Sequence, residues 1–331
     1  MSSVTVARSR EPAIPTRHDV LRLLGRYGTL LVLAAMIIAV SMLRPGTFPT
    51  TSNAINVLNQ SALTSLIAMG LTLPLIAGEF DLSVGYGASL CGVVACELMR
   101  HGLAIPAAFS AAVAAGAVIG LLNGLIVTRI GVNAMVATLG VGTMVVGINY
   151  AIAGGVPVAL SNPVSFINLT LGKFLGIPYP VYAMLLLALV LWVLLNRTVI
   201  GQSMQAVGGN PVAARMCGLR VDRARVTAFV AAGICAAITG VLLASRTGSA
   251  AVDGGDSYLL SAFAACFFGS AVLRDGQFHI IGTLIGVITV AVGFNAMALI
   301  GMSTYWQYLF QGALLILGVG VGTLARGHRS A

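Results

Sequence analysis

The chain has 331 residues, of which 58% are hydrophobic and 8% are charged. Because a soluble domain carries about a quarter charged residues, this composition excludes a soluble globular protein. The 40 glycines are typical of lipid-embedded helices, where small residues allow close approach. The composition therefore predicts an all-α polytopic protein embedded in a lipid bilayer.

Basic residues outnumber acidic residues by 18 to 9, and they cluster near the two termini and in one central segment. This distribution is typical of the cytoplasmic face of a multi-span protein, so we expect no nucleic-acid partner. The five cysteines have no paired spacing and the four histidines form no ligand pair. We therefore expect neither a disulfide nor a metal site.

Ten apolar runs follow one another along the chain. A hydrocarbon core about 30 Å thick needs about 20 apolar residues per helix. The predicted spans are 27–43, 54–77, 85–99, 104–127, 132–153, 177–195, 226–245, 257–273, 278–300 and 304–325.

These spans divide the chain into a tail over 1–26, a transmembrane domain over 27–325 and a tail over 326–331. With residue 1 in the cytoplasm, fourteen basic residues fall inside and four fall outside: Arg44, Arg100, Lys173 and Arg246. This bias predicts that both termini are cytoplasmic.

The third and eighth spans are short, and each follows an acidic connector that contains glycine, at 78–85 and at 253–257. They lie five spans apart. Because an odd offset orients corresponding helices oppositely, the pattern predicts an inverted repeat of spans 2–5 and 7–10, whose interface would suit a translocation path. Coincidence between two short helices is the alternative.

The central segment 196–224 contains a short helix with signals at both ends. Asn210 is a good N-cap, Pro211 suits the first helical position, and Gly218 supplies a left-handed stop. About two turns are too few to persist alone in water. Val212 and Met216 share one face, which predicts docking on another protein; a solvated loop is the alternative.

Several chemistries have no signature in the sequence. The only lysine, Lys173, does not belong to a phosphate-binding G-x-x-x-x-G-K-[ST] motif, so any ATP must bind another polypeptide. None of the nine acidic residues lies in the middle of a span, which argues against proton coupling. Sodium held by backbone carbonyls stays open. We find no catalytic or zinc-binding pattern and expect no enzyme.

Several motifs resemble those of one family. The chain is similar to the sugar-type permease subunits of bacterial ABC importers, the ribose, xylose and arabinose class of the branched-chain/ribose permease superfamily. The main match is to its GGN-x-x-AAR-x-x-G signature: Gly208, Gly209, Asn210, Ala213, Ala214, Arg215 and Gly218. Further matches are Asp81-Leu82-Ser83-Val84-Gly85, Ala137-Thr138-Leu139-Gly140 and Gly282-Thr283-Leu284-Ile285-Gly286, in family order.

The resemblance implies a function and a set of partners. In such permeases the GGN segment is the coupling element that enters a cleft of an ATPase subunit, with Val212 and Met216 here on the docking face. ATP and magnesium would belong to that subunit, and this chain would bind no cofactor. A periplasmic solute-binding protein, a homodimer or a heterodimer with a related permease, and a place in the bacterial inner membrane are also implied.

Passage of a polyhydroxylated solute calls for uncharged polar groups in the spans. The candidates are Asn59, Gln60, Asn149, Asn295, Gln307 and Gln311. Hydrogen bonds between helices, worth about 0.6 kcal/mol each, are their alternative role. For Asp81, beside Ser83 and Gly85, we expect an N-cap of the third span, with a place at a gate as the alternative.

The sequence leaves the solute open. The chain departs from the family at Gln202, Ser270 and Glu79, and Leu259 and Leu260 replace an acidic pair after Tyr258. A polyol, a nucleoside or a signalling furanose is therefore an alternative to a common sugar, and branched-chain amino-acid permeases match these motifs less well. A sodium-coupled secondary carrier, a channel or a membrane scaffold are alternatives from other classes.

Overall fold

The structure is a computed structural model that describes residues 17–270 and 276–327, with side chains over 27–270 and 276–320. The predicted tails over 1–26 and 326–331 therefore lie largely outside the described residues, as does Arg274, one of the basic residues predicted to be inside.

Thirteen α-helices lie within the described ranges. They are α1 (Arg17–Leu43), α2 (Thr51–Ile76), α3 (Val84–Arg100), α4 (Ile105–Leu125), α5 (Ala134–Ala153), α6 (Val164–Leu171), α7 (Tyr179–Arg197), α8 (Val199–Gly209), α9 (Pro211–Met216), α10 (Val221–Thr247), α11 (Asp256–Ser270), α12 (Ile280–Ile300) and α13 (Tyr305–Gly327). A wider helical turn, Ile126–Ile130, extends α4.

Two small antiparallel ribbons complete the fold. Strand β1 (Val158–Ala159) pairs with β4 (Ser249–Ala250), and β2 (Lys173–Phe174) pairs with β3 (Ile177–Pro178). Both lie in connections between helices, so the prediction of an all-α protein is confirmed for the part of the chain that the structure describes.

Six helices are long and apolar enough to cross a membrane. They are Thr51–Ile76, Ile105–Ile130, Ala134–Ala153, Tyr179–Arg197, Val221–Thr247 and Ile280–Ile300. A shorter apolar helix covers Tyr27–Leu43. A multi-span membrane protein is thus confirmed, while the number of ten spans stays a prediction, since α3 and α11 have only 17 and 15 residues.

Helix α10 occupies the centre of the bundle and packs against α2, α3, α4 and α6. Its glycines meet the backbones of its neighbours: a Cβ on Gly233 would overlap the carbonyl oxygen of Gly116 in α4, and one on Gly240 would overlap that of Ala88 in α3. Since lipid supplies no hydrophobic force between helices, such close packing is what holds them together.

A second group of helices surrounds α12. It packs against α2 and α11, and the hydroxyls of Thr72 and Thr283 lie 2.7 Å apart across the contact between α2 and α12. Gly269 of α11 and Gly282 of α12 meet backbone to backbone. The same combination of small residues and buried hydroxyls therefore joins both halves of the bundle.

We predict that Gly233→Ala destabilises the protein and that Gly140→Ala does not. The added methyl at position 233 meets the backbone of Gly116, whereas nothing lies within 4 Å of a Cβ at position 140. We expect a loss of about 1–3 kcal/mol in the free energy of unfolding for Gly233→Ala, as overpacking typically costs. Thermal unfolding of the purified proteins in detergent measures it, and equal midpoints for the two variants would contradict the packing argument.

Candidate functional site

Helix α9 has the local geometry that its sequence predicts. The Asn210 side-chain oxygen accepts hydrogen bonds from the backbone N–H groups of Val212 and Ala213, both at 3.0 Å. Gly218 follows the helix with a φ of 82°, which a residue with a side chain rarely adopts. The helix is therefore fixed at its start by a cap and followed at once by a reversal of the chain.

One face of α9 is open to solvent. Val212 is 68% exposed and Met216 is 85% exposed, while Ala214 is buried against the protein. Beside them is an open groove of about 490 Å³, lined by Pro211, Val212, Arg215, Met216, Val221 and Arg225. An apolar helix face flanked by arginines and left uncovered by the rest of the chain is typical of a protein interaction site.

The segment before α9 is packed onto the end of α2. A Cβ on Gly208 would overlap the carbonyl oxygen of Ile76, and the Cα of Gly208 lies 3.6 Å from where Gly78 would carry a Cβ. Gly209, the next residue, has nothing within 4 Å. Gly208 therefore allows a backbone contact between α8 and α2 that no larger residue permits.

An ion pair makes a second connection at the same end of the bundle. The Nε of Arg225 in α10 lies 2.8 Å from the Oε1 of Glu79, which follows α2, and both side chains are largely buried. Burial raises the pKa of Glu79 above its ordinary value, and the Arg225 guanidinium opposes that rise. The more exposed pair of Arg215 and Asp222 is wider, at 3.8 Å.

The connector after Glu79 enters the bundle and carries a buried polar cluster. The Oδ1 of Asp81 accepts hydrogen bonds from the backbone N–H of Ser83 at 2.9 Å and from its hydroxyl at 2.6 Å. Asn123 of α4 donates to the Ser83 hydroxyl at 2.7 Å. The expected N-cap role of Asp81 is wrong, because Ser83 occupies that position and Asp81 closes the turn before it.

Helix α3 begins near the middle of α10 instead of at its end. Ala88 and Gly92 lie against Gly240 and the residues that follow it, and Val84 lines a small cavity with Gly233 and Ala236. Since α10 runs from residue 221 to 247, the first residue of α3 lies close to its midpoint. The short third span of the sequence is therefore short because it starts inside the bundle.

Helix α11 starts at the same place. The backbone N–H of Gly255 donates to the Ser89 hydroxyl at 2.8 Å, and that hydroxyl lies 3.3 Å from the Oδ1 of Asp256. Gly255 also packs against the backbone of Gly85, the glycine of the first connector. The two acidic connectors of the sequence thus meet, and α3 and α11 leave this junction in different directions.

The six polar candidates in the spans have different surroundings. Asn149 is buried and donates to the carbonyl oxygen of Val252 at 2.7 Å. Asn295 is also buried and exchanges two hydrogen bonds with Asn53, at 3.0 and 2.9 Å. Asn149 and Asn295 therefore form hydrogen bonds between segments, which was the alternative role given for them.

The other four candidates lie on α2 and α13. Gln60 donates to Asn56 one turn earlier, at 3.2 Å, Gln311 is buried, and Asn59 and Gln307 are half-buried. Their place along a solute path stays a prediction. Within the described residues, no group of three or more histidine, cysteine, aspartate or glutamate side chains is placed to hold a metal ion.

Four residues that the geometry brings forward had no predicted role at a site: Ser89, Asp256, Glu79 and Arg225. Asp256 and Glu79 lie in or beside the acidic connectors, which is a signal that was available. Ser89 and Arg225 lie inside helices, and nothing in the local sequence marks their partners.

A match to a known family model identifies the family of this chain. The family model described as the branched-chain amino acid transport system permease component matches residues 53–319, which include every element of the sites above. The chain belongs to this family.

Its similar relatives are import permeases for sugars. The chain is 33% identical to the ribose import permease protein RbsC of Escherichia coli strain K12, over 88% of this chain and 91% of the relative. It is 34% identical to the galactose/methyl galactoside import permease protein MglC of Haemophilus influenzae, over 92% and 95%. It is 33% identical to the L-arabinose ABC transporter permease protein AraH of Azospirillum brasilense, over 95% and 92%. No solved structure matches the chain.

We predict that Gly208→Ala impairs transport and that Gly209→Ala does not. The methyl at position 208 has no space beside Ile76, whereas position 209 is open. Since Gly208 links the α9 segment to α2, we expect ATP-dependent uptake per molecule of permease to fall. Uptake by membrane vesicles, normalised to permease content, measures this, and wild-type uptake by Gly208→Ala would refute the proposed link.

Proposed function

We propose that this chain is the membrane-spanning permease subunit of an ATP-driven importer, which translocates a sugar or sugar-like solute delivered by a periplasmic binding protein. The observation that carries the proposal is α9, a capped helix with an exposed apolar face and a rigid attachment to the bundle. The names of its relatives, which import ribose, galactose and arabinose, support the solute class.

Energy for transport comes from a partner subunit. The sequence has no phosphate-binding loop, so ATP and magnesium bind to an ATPase that docks on α9 and its groove. Two copies of this chain, or one copy and a related permease, form the path between them. The apolar face of Val212 and Met216 fits an apolar cleft of the ATPase, and Arg215 lies beside it for an acidic group.

Movement of the ATPase reaches the bundle through two contacts. Displacement of α9 acts on α2 through Gly208, and the Arg225–Glu79 pair connects the end of α2 to α10. Both contacts converge on the connector that leads to Asp81 and the start of α3. ATP binding would thus shift the equilibrium between inward-facing and outward-facing states, as expected for a two-state packed assembly.

In this proposal ten spans cross the membrane, with both termini cytoplasmic. The orientation places α9 and Arg225 inside and Lys173 and Arg246 outside, in agreement with the charge bias of the sequence. Helices α3 and α11 then begin within the depth of the bilayer. Helix α3 covers the outer half of its thickness and α11 the cytoplasmic half. This arrangement supports the inverted repeat of spans 2–5 and 7–10.

The junction of α3 and α11 is the place where we expect the solute to pass. Asp253 and Ser257 are exposed there, and Gly254 between them lies against Leu243, one turn inside the end of α10. Acidic residues and non-helical backbone at membrane depth occur where they line a water-filled cavity or are buried in protein. The uncharged hydroxyl of Ser257 also suits a polyhydroxylated solute.

We predict that Arg215→Glu, and separately the pair Val212→Glu with Met216→Glu, uncouple ATP hydrolysis from uptake. Reversed or added charge opposes docking of the apolar, basic face of α9. Arg220→Glu is the matched control, because Arg220 is exposed and precedes α10 outside α9. ATPase activity and uptake in reconstituted vesicles measure the effect. Uptake equal to that of the wild type, or uptake that persists after ATP depletion, would reject the ABC mechanism in favour of a sodium-coupled carrier or channel.

We predict that Ser257→Trp blocks uptake while leaving the ATPase docked. A large side chain at the junction would fill the path, whereas α9 is unchanged. Ser52→Trp, on an exposed serine at the start of α2, is the control. Co-purification of the ATPase and solute uptake measure the two properties, and unchanged uptake by Ser257→Trp would place the path elsewhere.

A further inference from the structure

A short hairpin before α7 exposes apolar side chains at its tip. Leu175 has a φ of 49° and Gly176 a φ of 80°, the backbone of a two-residue turn that normally contains asparagine or glycine. A leucine in the left-handed region is strained. Leu175 is also 83% exposed, and its neighbour Phe174 is 58% exposed. The fold therefore displays a large apolar group where a small polar one would be easier to accommodate.

The hairpin continues into a lipid-facing helix. Tyr179 begins α7, and the hydroxyl of Tyr182 donates to the carbonyl oxygen of Phe174 at 2.8 Å, so the tip and the helix are one unit. Tyrosines at the end of a span are typical of the membrane interface. Along α7 the exposed apolar residues are Leu185, Leu186, Leu189, Val190 and Val193. The tip therefore prolongs a surface that a bilayer covers.

An apolar groove lies beside the hairpin. It has a volume of about 430 Å³ and separates the start of α4 from the start of α7, with α6 and α10 behind it. Its walls include Ile105, Phe109, Leu169, Tyr179, Ala183 and Leu242. All these positions lie near the helix ends opposite α9, which is the outer leaflet in the orientation proposed above.

A cation lies next in the chain to a residue bonded to the groove wall. The backbone N–H of Tyr179, in the groove wall, donates to the carbonyl oxygen of Gly172 at 3.0 Å, and Lys173 pairs with Pro178, the residue before Tyr179. Lys173 is exposed and is the only lysine of the chain. Among the ion pairs of the described residues, none involves Lys173.

We propose that this groove binds an acyl chain of an anionic phospholipid whose headgroup phosphate pairs with Lys173, and that the hairpin of residues 173–178 is inserted in the outer membrane interface. The apolar walls match a hydrocarbon chain, and the free ammonium matches the phosphate at its end. Continuity with the apolar face of α7 favours lipid over a protein partner. The proposal rests on the orientation given under the proposed function.

Photocrosslinking in the assembled transporter tests this site. Tyr179→p-benzoylphenylalanine places a photoreactive group in the groove wall, and Leu186→p-benzoylphenylalanine places the same group on the exposed face of α7 outside the groove. The transporter is reconstituted in vesicles of equal parts phosphatidylglycerol and phosphatidylcholine. After irradiation, mass spectrometry of the permease identifies the captured molecule.

We expect phosphatidylglycerol to be captured at position 179 in about fivefold excess over phosphatidylcholine, and we expect no such excess at position 186. The attraction between one lysine and anionic lipid near a membrane surface accounts for an excess of this size. Lys173→Gln should abolish the excess and Lys173→Arg should retain it. Equal capture of both lipids at position 179, an excess that survives Lys173→Gln, or a peptide of another subunit in the adduct would overturn the proposal. Because capture needs no ATP hydrolysis, failure of the coupling experiments leaves this readout intact.

Discussion

Close backbone contact around α10 is the constraint on which the rest of this structure depends. In a bilayer, helices gain little from hiding apolar side chains from one another, so their arrangement follows from how closely their backbones can approach. Gly233 and Gly240 allow α4 and α3 to touch α10 directly. Side chains at those two positions would separate the three helices, and the start of α3 would lose its support.

The same central helix connects the two ends of the bundle. At one end its first turns carry Arg225, which pairs with Glu79, and near its middle it supports the start of α3. The connector between Glu79 and Ser83 therefore spans the distance from the α9 surface to the junction of α3 and α11. A shift at the surface has a short, packed route to the interior.

The polar groups inside the bundle have two different roles. Asn295, Asn149 and Thr72 are buried and bonded to other segments, which stabilises packing in a medium that offers no competing water. Asp253 and Ser257 are exposed beside a junction of non-helical backbone, and in the proposed function they face water or solute there. Polarity alone does not separate these roles; the neighbours of each side chain do.

Local features could be predicted from the sequence, and contacts between distant segments could not. The cap of α9 by Asn210 could be predicted because a cap involves only the next three residues. The short third and eighth spans could be predicted from the length of their apolar runs. The N-cap assigned to Asp81 was wrong by two residues, because Asp81 accepts both the N–H and the hydroxyl of Ser83 and so closes the turn before α3; the bond from Asn123, 40 residues away, to that hydroxyl had no signal in the sequence.

The sequence by itself determined that this is an all-α membrane protein with a short capped helix between its two largest groups of spans, since composition, charge placement and capping act along the chain. Only the tertiary structure decided that Gly208 must be glycine to meet Ile76, that the two acidic connectors meet at Gly85 and Gly255, and which asparagines bond across helices. These are contacts of residues far apart in the chain, and their geometry follows from how the helices pack, which no local pattern encodes.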